Sequence, residues 1–428
     1  MSNIFLFIYH FVWTLILIPA VPFITLTGNK RLAGRFAVSV PPPMEMGGNI
    51  WIHALSVGEV MSAVSLVKAI KRAFPSKDIV FTVTTRSGME IARKELKGVV
   101  SRLHMMPLDA WWSMRRFTKR IKPGVFVLVE TDVWPGLLSH LKGVRVSSVL
   151  VNGRISPRTY GSYRRVPWLI RRMYEPLDLC FMQSDLDTDR LLSIGLDQKK
   201  VKTAGNIKFD REILPLIPGE KARWLELLGL TPSDPVWVAG STHQGEEADI
   251  LNAYKEIKKP FPLLRLILAP RDVSRAGELM RLIHSVGLIG ARRSEMTGKR
   301  IHYHVLVLDT YGELDRVYGL GWICFVGGSL VPIGGHNLLE PAGLGIPVIF
   351  GPYTHNFVFI SSSILKEGGG ALVSDVDSLR DTVKNLLADK GRRMEMGRAA
   401  MRFVEKNRGA IRCVVSWCKT RLGEGAVQ

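Results

Sequence analysis

Residues His53 to Val60 read HALSVGEV, with the apolar run Asn49 to Ala54 behind them and a helix-like pattern, Val60 to Phe74, ahead. A strand, a tight glycine turn and a helix start would put Glu59 at the carboxyl edge of a sheet. There a carboxylate can take a proton from a hydroxyl. Ser56-x-x-Glu59 also fits the capping box, in which Ser caps the helix and Glu reaches back to the cap amide. The two roles tolerate different changes: a cap accepts Gln, a base does not. Glu130-Thr131-Asp132 follows a second apolar run, Gly124 to Val129. Two acids at a strand end suit a metal or sugar hydroxyls. The alternative is a structural corner in which Trp134 packs and Pro135 opens a helix. Asn152-Gly153-Arg154-Ile155-Ser156 reads as a turn, with Arg154 a partner for a carboxylate. Lys208, in the run Gly205 to Lys208, is a cation for an anionic ligand or a solvated lysine.

The second half of the chain carries anion-binding patterns. Gly240-Ser241-Thr242-His243 follows an apolar run and leads into a helix, the layout of a phosphate site or of an ordinary Ser/Thr cap. Pro270-Arg271 follows LLRLILA, and an arginine can fork onto phosphate or carboxylate. The longest signal is GGSLVPIGGHNLLEPAGLGIPVIFGP, Gly327 to Pro352. Gly334-Gly335 lets a ligand approach the backbone, and Asn337 and Glu340 share one helix face. His336 as a metal ligand lacks a second His or Cys at ligand spacing. Neither a Walker pattern nor GxGxxG is present.

Elements that would position these groups can be read from the same rows. Strand-like runs at Asn49–Ala54, Asp78–Thr85, Gly124–Val129, Arg145–Val151 and Leu179–Gln183 alternate with helical stretches. After the connector ILPLIPGE the alternation restarts, with strands at Val236–Gly240, Leu263–Ala269, Val305–Leu308, Trp322–Val326 and Ile346–Phe350. This predicts two doubly wound α/β domains, each a parallel sheet covered on both faces. The reading gives 1–30 as a membrane anchor, 31–212 as the first domain and 213–428 as the second. Ala410 to Leu422 is a candidate to cross back to the first. PPPMEMGG, Pro41 to Gly48, reads as a linker.

At 428 residues the chain exceeds one ordinary core, and 46% apolar with 22% charged residues describes a folded protein. With 58 Lys and Arg against 38 Asp and Glu, a formal charge of +20, it should attract anions: nucleic acid, anionic lipid or phosphorylated substrates. Four cysteines without a CxxC pair argue against structural zinc or a disulfide framework. Ile4 to Thr27 is almost wholly apolar and long enough for the ~20 residues that span a bilayer. Lys30, Arg31 and Arg35 follow it, so the expected orientation leaves the remaining chain in the cytoplasm. The alternatives are a half-inserted anchor, given Pro19 and Pro22, and a buried core helix.

Taken in order, the apolar N-terminus, HALSVGE, ETDVWP, NGRIS, GNIKFD, AGSTHQGEE, DTYGEL, FVGGSL, GGHNLLEPA and FGPYTHNF resemble the 3-deoxy-D-manno-octulosonic acid (Kdo) transferase family. The resemblance covers almost the whole chain. It implies the GT-B fold, two Rossmann-like domains facing a cleft. It also implies inverting transfer of Kdo from CMP-Kdo to a hydroxyl of a lipid A precursor, in lipopolysaccharide synthesis. By motif, Glu59 would be the proton acceptor, with Glu130 and Lys208 stabilising the transition state. Donor contacts would come from Ser241, Thr242, Pro270, Arg271, Tyr311, Gly312, Glu313, Gly334, Gly335, Asn337, Leu338, Leu339 and Glu340. Ser56, Gly58, Arg86 and Arg154 are acceptor-side candidates. No cofactor and no metal are expected in the chemical step. The partners expected are the two substrates and an anionic membrane surface, with the catalytic domains on the cytoplasmic face of a bacterial inner membrane. The chain departs from the family's pattern at Asp132, Asp272 and Tyr311. Rival readings are another GT-B transferase or epimerase acting on UDP-sugars, a membrane-anchored binding protein with a dead site, and a nucleic-acid binder. The last lacks any recognisable nucleic-acid module.

Overall fold

The computed structural model describes residues 2–17, 41–130, 133–296 and 301–423. The chain divides into two compact units, one running to Arg211 and resuming at Arg408, the other Glu212–Asn407. Each contains one seven-stranded sheet.

The first sheet is built from β1 (Asn49–Ala54), β2 (Ile79–Val83), β3 (Arg102–Met105), β4 (Pro123–Val129), β5 (Ser147–Gly153), β6 (Leu179–Met182) and β7 (Val201–Thr203). Their order is β3-β2-β1-β4-β5-β6-β7, with every pairing parallel. In β1 the period of two sends Ile50, Ile52 and Ala54 into one buried cluster and Trp51 into another. His53 is fully buried, and its Nδ1 bonds the Thr82 carbonyl at 3.0 Å, so it belongs to the core. Met44, in the stretch read as a linker, is buried too, its amide bonded to the Arg120 carbonyl.

The final helix, Ala410–Leu422, packs in the first unit's core through Ala410, Ile411, Val414 and Cys418. Asp210 fixes its start: one carboxylate oxygen accepts from the Gly409 amide at 2.6 Å and the other from Ile411 at 2.7 Å. Those amides would otherwise be among the unpaired donors of a helix N-terminus.

The N-terminal expectation needs correction. The first helix is Ser2–Leu17, 16 residues. At ~1.5 Å per residue it is about 24 Å long, short of a ~30 Å hydrocarbon core. Among the described residues no helix is long and apolar enough to cross a membrane. The helix also docks on its own protein. The Tyr9 hydroxyl donates to Asp109 at 2.7 Å, and a Cβ on Gly136 would meet the His10 ring. Phe7, Ile8, Phe11, Val12 and Leu15 remain exposed. The spanning anchor is therefore overturned, and with it the inner-membrane placement that rested on it. Residues 18–30, the remainder of that expected segment, lie outside the described residues, as do Lys30, Arg31 and Arg35.

The second sheet holds β8 (Val236–Thr242), β9 (Arg265–Pro270), β10 (Gly290–Arg292), β11 (Val305–Val307), β12 (Ile323–Val326), β13 (Val348–Phe350) and β14 (Gly370–Leu372). Their order is β10-β11-β9-β8-β12-β13-β14, again all parallel. Buried clusters lie on both faces, one around Tyr254, Leu266 and Phe325, the other around Val238, Ile267 and Tyr318.

Candidate active site

In each sheet the chain reverses its direction of winding once. In the first this switch lies between β1 and β4, in the second between β8 and β12. Ligands of open parallel sheets bind beyond the carboxyl ends of the strands at such points.

Glu59 follows β1 and Glu130 follows β4, so the first switch is flanked by two carboxylates. Glu59 lies in the first turn of the Val57–Ala73 helix and is 7% exposed. Its Oε2 accepts from the Leu55 amide at 2.6 Å. Ser56 is the N-cap residue, but its side chain makes no cap bond. The reciprocal capping box is therefore not formed. Gly58 stands in the same turn, where an added Cβ would come no nearer than 4.0 Å to the Ser56 hydroxyl. Arg86 opens the next helix and pairs with Glu90 at 3.3 Å on the surface.

Glu130 has φ +65° and Asn152, one residue from the end of β5, +61°. Non-glycine residues held there cost of order 1–3 kcal/mol each and are retained where surrounding structure fixes them. Asn152 supplies that fixing. Its Nδ2 donates to Glu130 Oε1 at 3.4 Å, its Oδ1 accepts from the Ile207 amide at 3.1 Å, and its carbonyl accepts from Gln183 Nε2 at 2.9 Å. Asn206 continues the network, donating to Gln183 and capping the short turn that carries Lys208. Burial pushes the Glu130 carboxyl above its ordinary range; Lys208, the Asn152 bond and Arg154 pull it back. Glu130, Lys208 and Arg154, far apart in sequence, thus share one electrostatic neighbourhood. Thr131 and Asp132 lie outside the described residues.

At the second switch Ser241, φ +57°, and Thr242 close β8. The following helix begins only at Glu247, so the Ser and Thr are strand residues rather than a helix cap. The turn's amides are already answered by the fully buried Glu246. Its carboxylate accepts from His243 at 2.8 Å, Gly328 at 2.6 Å and Leu330 at 3.3 Å. Thr242 holds the next loop by accepting the Arg271 amide at 2.9 Å, and Pro270 pairs with it in register. Arg271 is exposed, while Asp272 turns back to cap Ser274.

Gly334 and Gly335 take φ +106° and +77°. Asn337 donates to Glu340 at 3.2 Å and accepts from the Leu339 amide at 3.2 Å. Leu338 and Leu339 are buried, and the helix here, Leu339–Gly343, is a single turn. It therefore lacks the aligned peptide dipoles that a longer helix would offer a phosphate. Gly312 has φ +81°, and Tyr311 beside it is 73% exposed. The Glu313 side chain is engaged by Arg293 at 2.9 Å and by the Thr310 hydroxyl.

The β8–β12 junction leaves no room at Gly327. A Cβ would fall 2.5 Å from Glu246 Oε1 and 2.6 Å from the Ser241 carbonyl oxygen. Gly327→Ala should cost about 1–3 kcal/mol by overpacking and lower the melting temperature by several degrees; an unchanged melt would refute this packing.

Sequence reasoning missed Glu246, Asn152, Gln183 and Asn206, and a pairing of His243 with His336, whose Nε2 atoms lie 2.7 Å apart. AGSTHQGEE and GGHN were visible, but nothing local joins residues 93 apart. Among the described residues no three His, Cys, Asp or Glu are grouped to hold a metal ion.

Residues 30–211 match the family model for 3-deoxy-D-manno-octulosonic-acid transferase. The chain is similar to the 3-deoxy-D-manno-octulosonic acid transferase of Haemophilus influenzae, 32% identical over 403 residues, covering 92% of each chain. The transferase of Aquifex aeolicus is 32% identical over 343 residues, 80% of this chain and 87% of that one. Among solved structures, a UDP-GlcNAc 2-epimerase from Neisseria meningitidis bound to UDP-GlcNAc aligns with 88% of this chain and all (100%) of its own. Its TM-score is 0.58 at 14% identity, a likeness of fold alone. The two parallel-sheet α/β units are like those of GT-B glycosyltransferases.

Proposed function

We proceed from the fact that the chain belongs to the 3-deoxy-D-manno-octulosonic acid transferase family, and we propose that it transfers Kdo from CMP-Kdo to a hydroxyl of a lipid A precursor, inverting the anomeric carbon. The observation that carries the proposal is the first switch point of a chain so closely related. Glu59, with its carboxylate buried at a strand end, faces the role of proton acceptor. Glu130 and Lys208 lie together across the same switch, a place for stabilising charge in the transition state.

The second unit would hold the donor, with Arg271 as the phosphate partner and the loops of Tyr311–Glu313 and Gly334–Glu340 around the nucleotide. Ser241, Thr242 and Pro270 would then act through backbone shape. Ser56, Gly58, Arg86 and Arg154 remain the acceptor-side candidates. The GT-B reading of the two units is part of this proposal.

The test is transfer by the full chain from CMP-Kdo to a tetra-acylated lipid A precursor, with a UDP-sugar as competing donor. Product with CMP-Kdo alone is expected. Turnover only with the UDP-sugar would sink the donor assignment. Arg271 can answer the donor's phosphate, and on this reading the chemical step needs no metal. Exhaustive chelator treatment is expected to leave the transfer rate unchanged; a loss restored by one divalent cation would refute that.

A further inference from the structure

His243 and His336 have no role in the transfer described above. Their ring planes are parallel within 1°, with centroids 5.0 Å apart and Nε2 atoms at 2.7 Å. Those values describe two imidazoles joined nitrogen to nitrogen in a common plane. Rings stacked face to face would bring the centroids closer and keep the nitrogens off the line. The contact is therefore an in-line hydrogen bond. Such a bond needs one Nε2 with a hydrogen and one without. In the neutral pair, then, the donor ring has a bare Nδ1 and the acceptor ring carries its hydrogen on Nδ1.

The pair spans the second switch point. His243 follows β8, and His336 lies in the loop that leaves β12. The backbone beside it is shaped around the rings. Gly328 has φ +66°, and a Cβ there would stand 3.0 Å from His336 Cδ2 and 3.3 Å from His243 Cδ2. The charged groups facing the pair are Arg271 from the loop after β9, Arg275 from the turn beyond it, Glu246 from the turn after β8 and Glu247 from the start of the helix that follows. Glu247 is committed to Arg275 through two hydrogen bonds, at 2.7 and 3.2 Å, and Glu246 to three backbone amides. Arg271 makes no ion pair among the described residues. Burial first, then Arg271, holds His336 down to about 4; burial first, with Arg271 and Arg275 opposing Glu247, lowers His243. These influences together favour the neutral form of the pair.

We propose that the His243–His336 pair is a proton-binding element of the donor site, taking up one proton from solvent when the phosphate of a cytidine nucleotide settles beside Arg271. The proton goes to the bare Nδ1 of the donor ring. Both Nδ1 atoms then carry hydrogen, the bridging hydrogen is shared between the Nε2 atoms, and the pair bears one positive charge. A phosphate on Arg271 offsets the guanidinium that opposes this protonation. The cation also matches the reaction. When the bond from the anomeric carbon to the phosphate oxygen breaks, the electron pair stays on that oxygen and the phosphate gains a negative charge. This inference rests on the donor reading above.

The experiment is calorimetric titration of the full chain with CMP at about pH 7.5, above a phosphate monoester's second ionisation near ~6, in buffers of different ionisation enthalpy. Wild type is expected to take up protons on binding CMP and none on binding cytidine, which lacks the phosphate. In His336→Gln and His243→Gln the new amide keeps a hydrogen-bonding group but cannot titrate, and the remaining ring loses the partner nitrogen that would share the proton. Each should lose the uptake and bind CMP about tenfold more weakly. Binding of CMP by wild type without proton uptake overturns the inference. So does uptake undiminished in either glutamine variant, with folding checked by circular dichroism. Wild type that binds no CMP overturns the donor reading itself, an outcome visible apart from loss of uptake with binding intact.

Discussion

Replacing Glu59 by Gln is expected to lower Kdo transfer by about 10²–10⁴-fold, the usual contribution of a general base, while CMP affinity and the melting temperature stay close to wild type. The geometry makes the substitution selective. Glu59 Oε2 accepts from the Leu55 amide at 2.6 Å. A Gln carbonyl oxygen can accept the same bond, so the helix start remains satisfied. What Gln cannot do is take a proton from the attacking hydroxyl. Glu59→Ala separates the two roles from the other side. It leaves the Leu55 amide short of this acceptor, at a cost of about 1–3 kcal/mol if the amide is left unpaired, and should lower stability as well as turnover. Single-turnover transfer with saturating CMP-Kdo, alongside thermal melts, distinguishes the cases. If Glu59→Gln retains near-normal turnover, Glu59 only closes the helix start and the base lies elsewhere.

Much of this arrangement was legible because buried parallel strands announce themselves as apolar runs. The inner strands β1, β2, β4, β5 and β6, and β8, β9, β11, β12 and β13, all correspond to such runs. The strands that escaped notice are β3, β7, β10 and β14, the outermost strand on each side of each sheet. Their sequences, RLHM, VKT, GAR and GAL, are short and partly exposed, because an edge strand has a neighbour on one side only. The site was legible in the same measure. Candidate positions close behind a strand, such as Glu59, Glu130 and Arg271, could be placed from the strand. Groups defined by their partner could not. Asn152 looks like a turn residue beside a glycine, yet it lies within β5, one residue from its end, and holds Glu130. Glu246 looks like one of two surface acids in QGEE, yet it is buried and binds three amides of two loops. The apolar N-terminal run shows the reverse error. Its composition suits a membrane, but Tyr9 and His10 turn one face of a short helix onto the protein.

Lys208→Met should lower transfer by about 10²–10³-fold, the scale of losing one preorganised charge at a reacting centre, and should also change the pH dependence. Glu130 is pushed up by burial, and Lys208 heads the influences that pull it back. Without the lysine, the carboxyl must rise further. If transfer needs Glu130 ionised, the acid limb of the rate profile moves to higher pH in the variant. The stability sign follows from proton linkage. A carboxyl whose folded pKa exceeds its unfolded value binds its proton more tightly when folded. Stability therefore falls as pH rises from the unfolded pKa to the folded one, and the full cost persists above it. Lys208→Met enlarges that cost, so the variant should be less stable than wild type near pH 7. The deficit should shrink as pH falls below the Glu130 pKa and the carboxyl becomes neutral in both proteins. Met keeps the apolar stem, so lost packing does not enter the comparison. Denaturant titrations at a series of pH values, beside rate profiles at the same values, test both halves. A deficit independent of pH with an unmoved acid limb would mean that Lys208 does not act on Glu130. Loss of rate would then be an effect of Lys208 on the substrate alone. A shrinking deficit with a shifted limb would tie the lysine's effect to the charge state of the carboxylate that Asn152 holds at φ +65°.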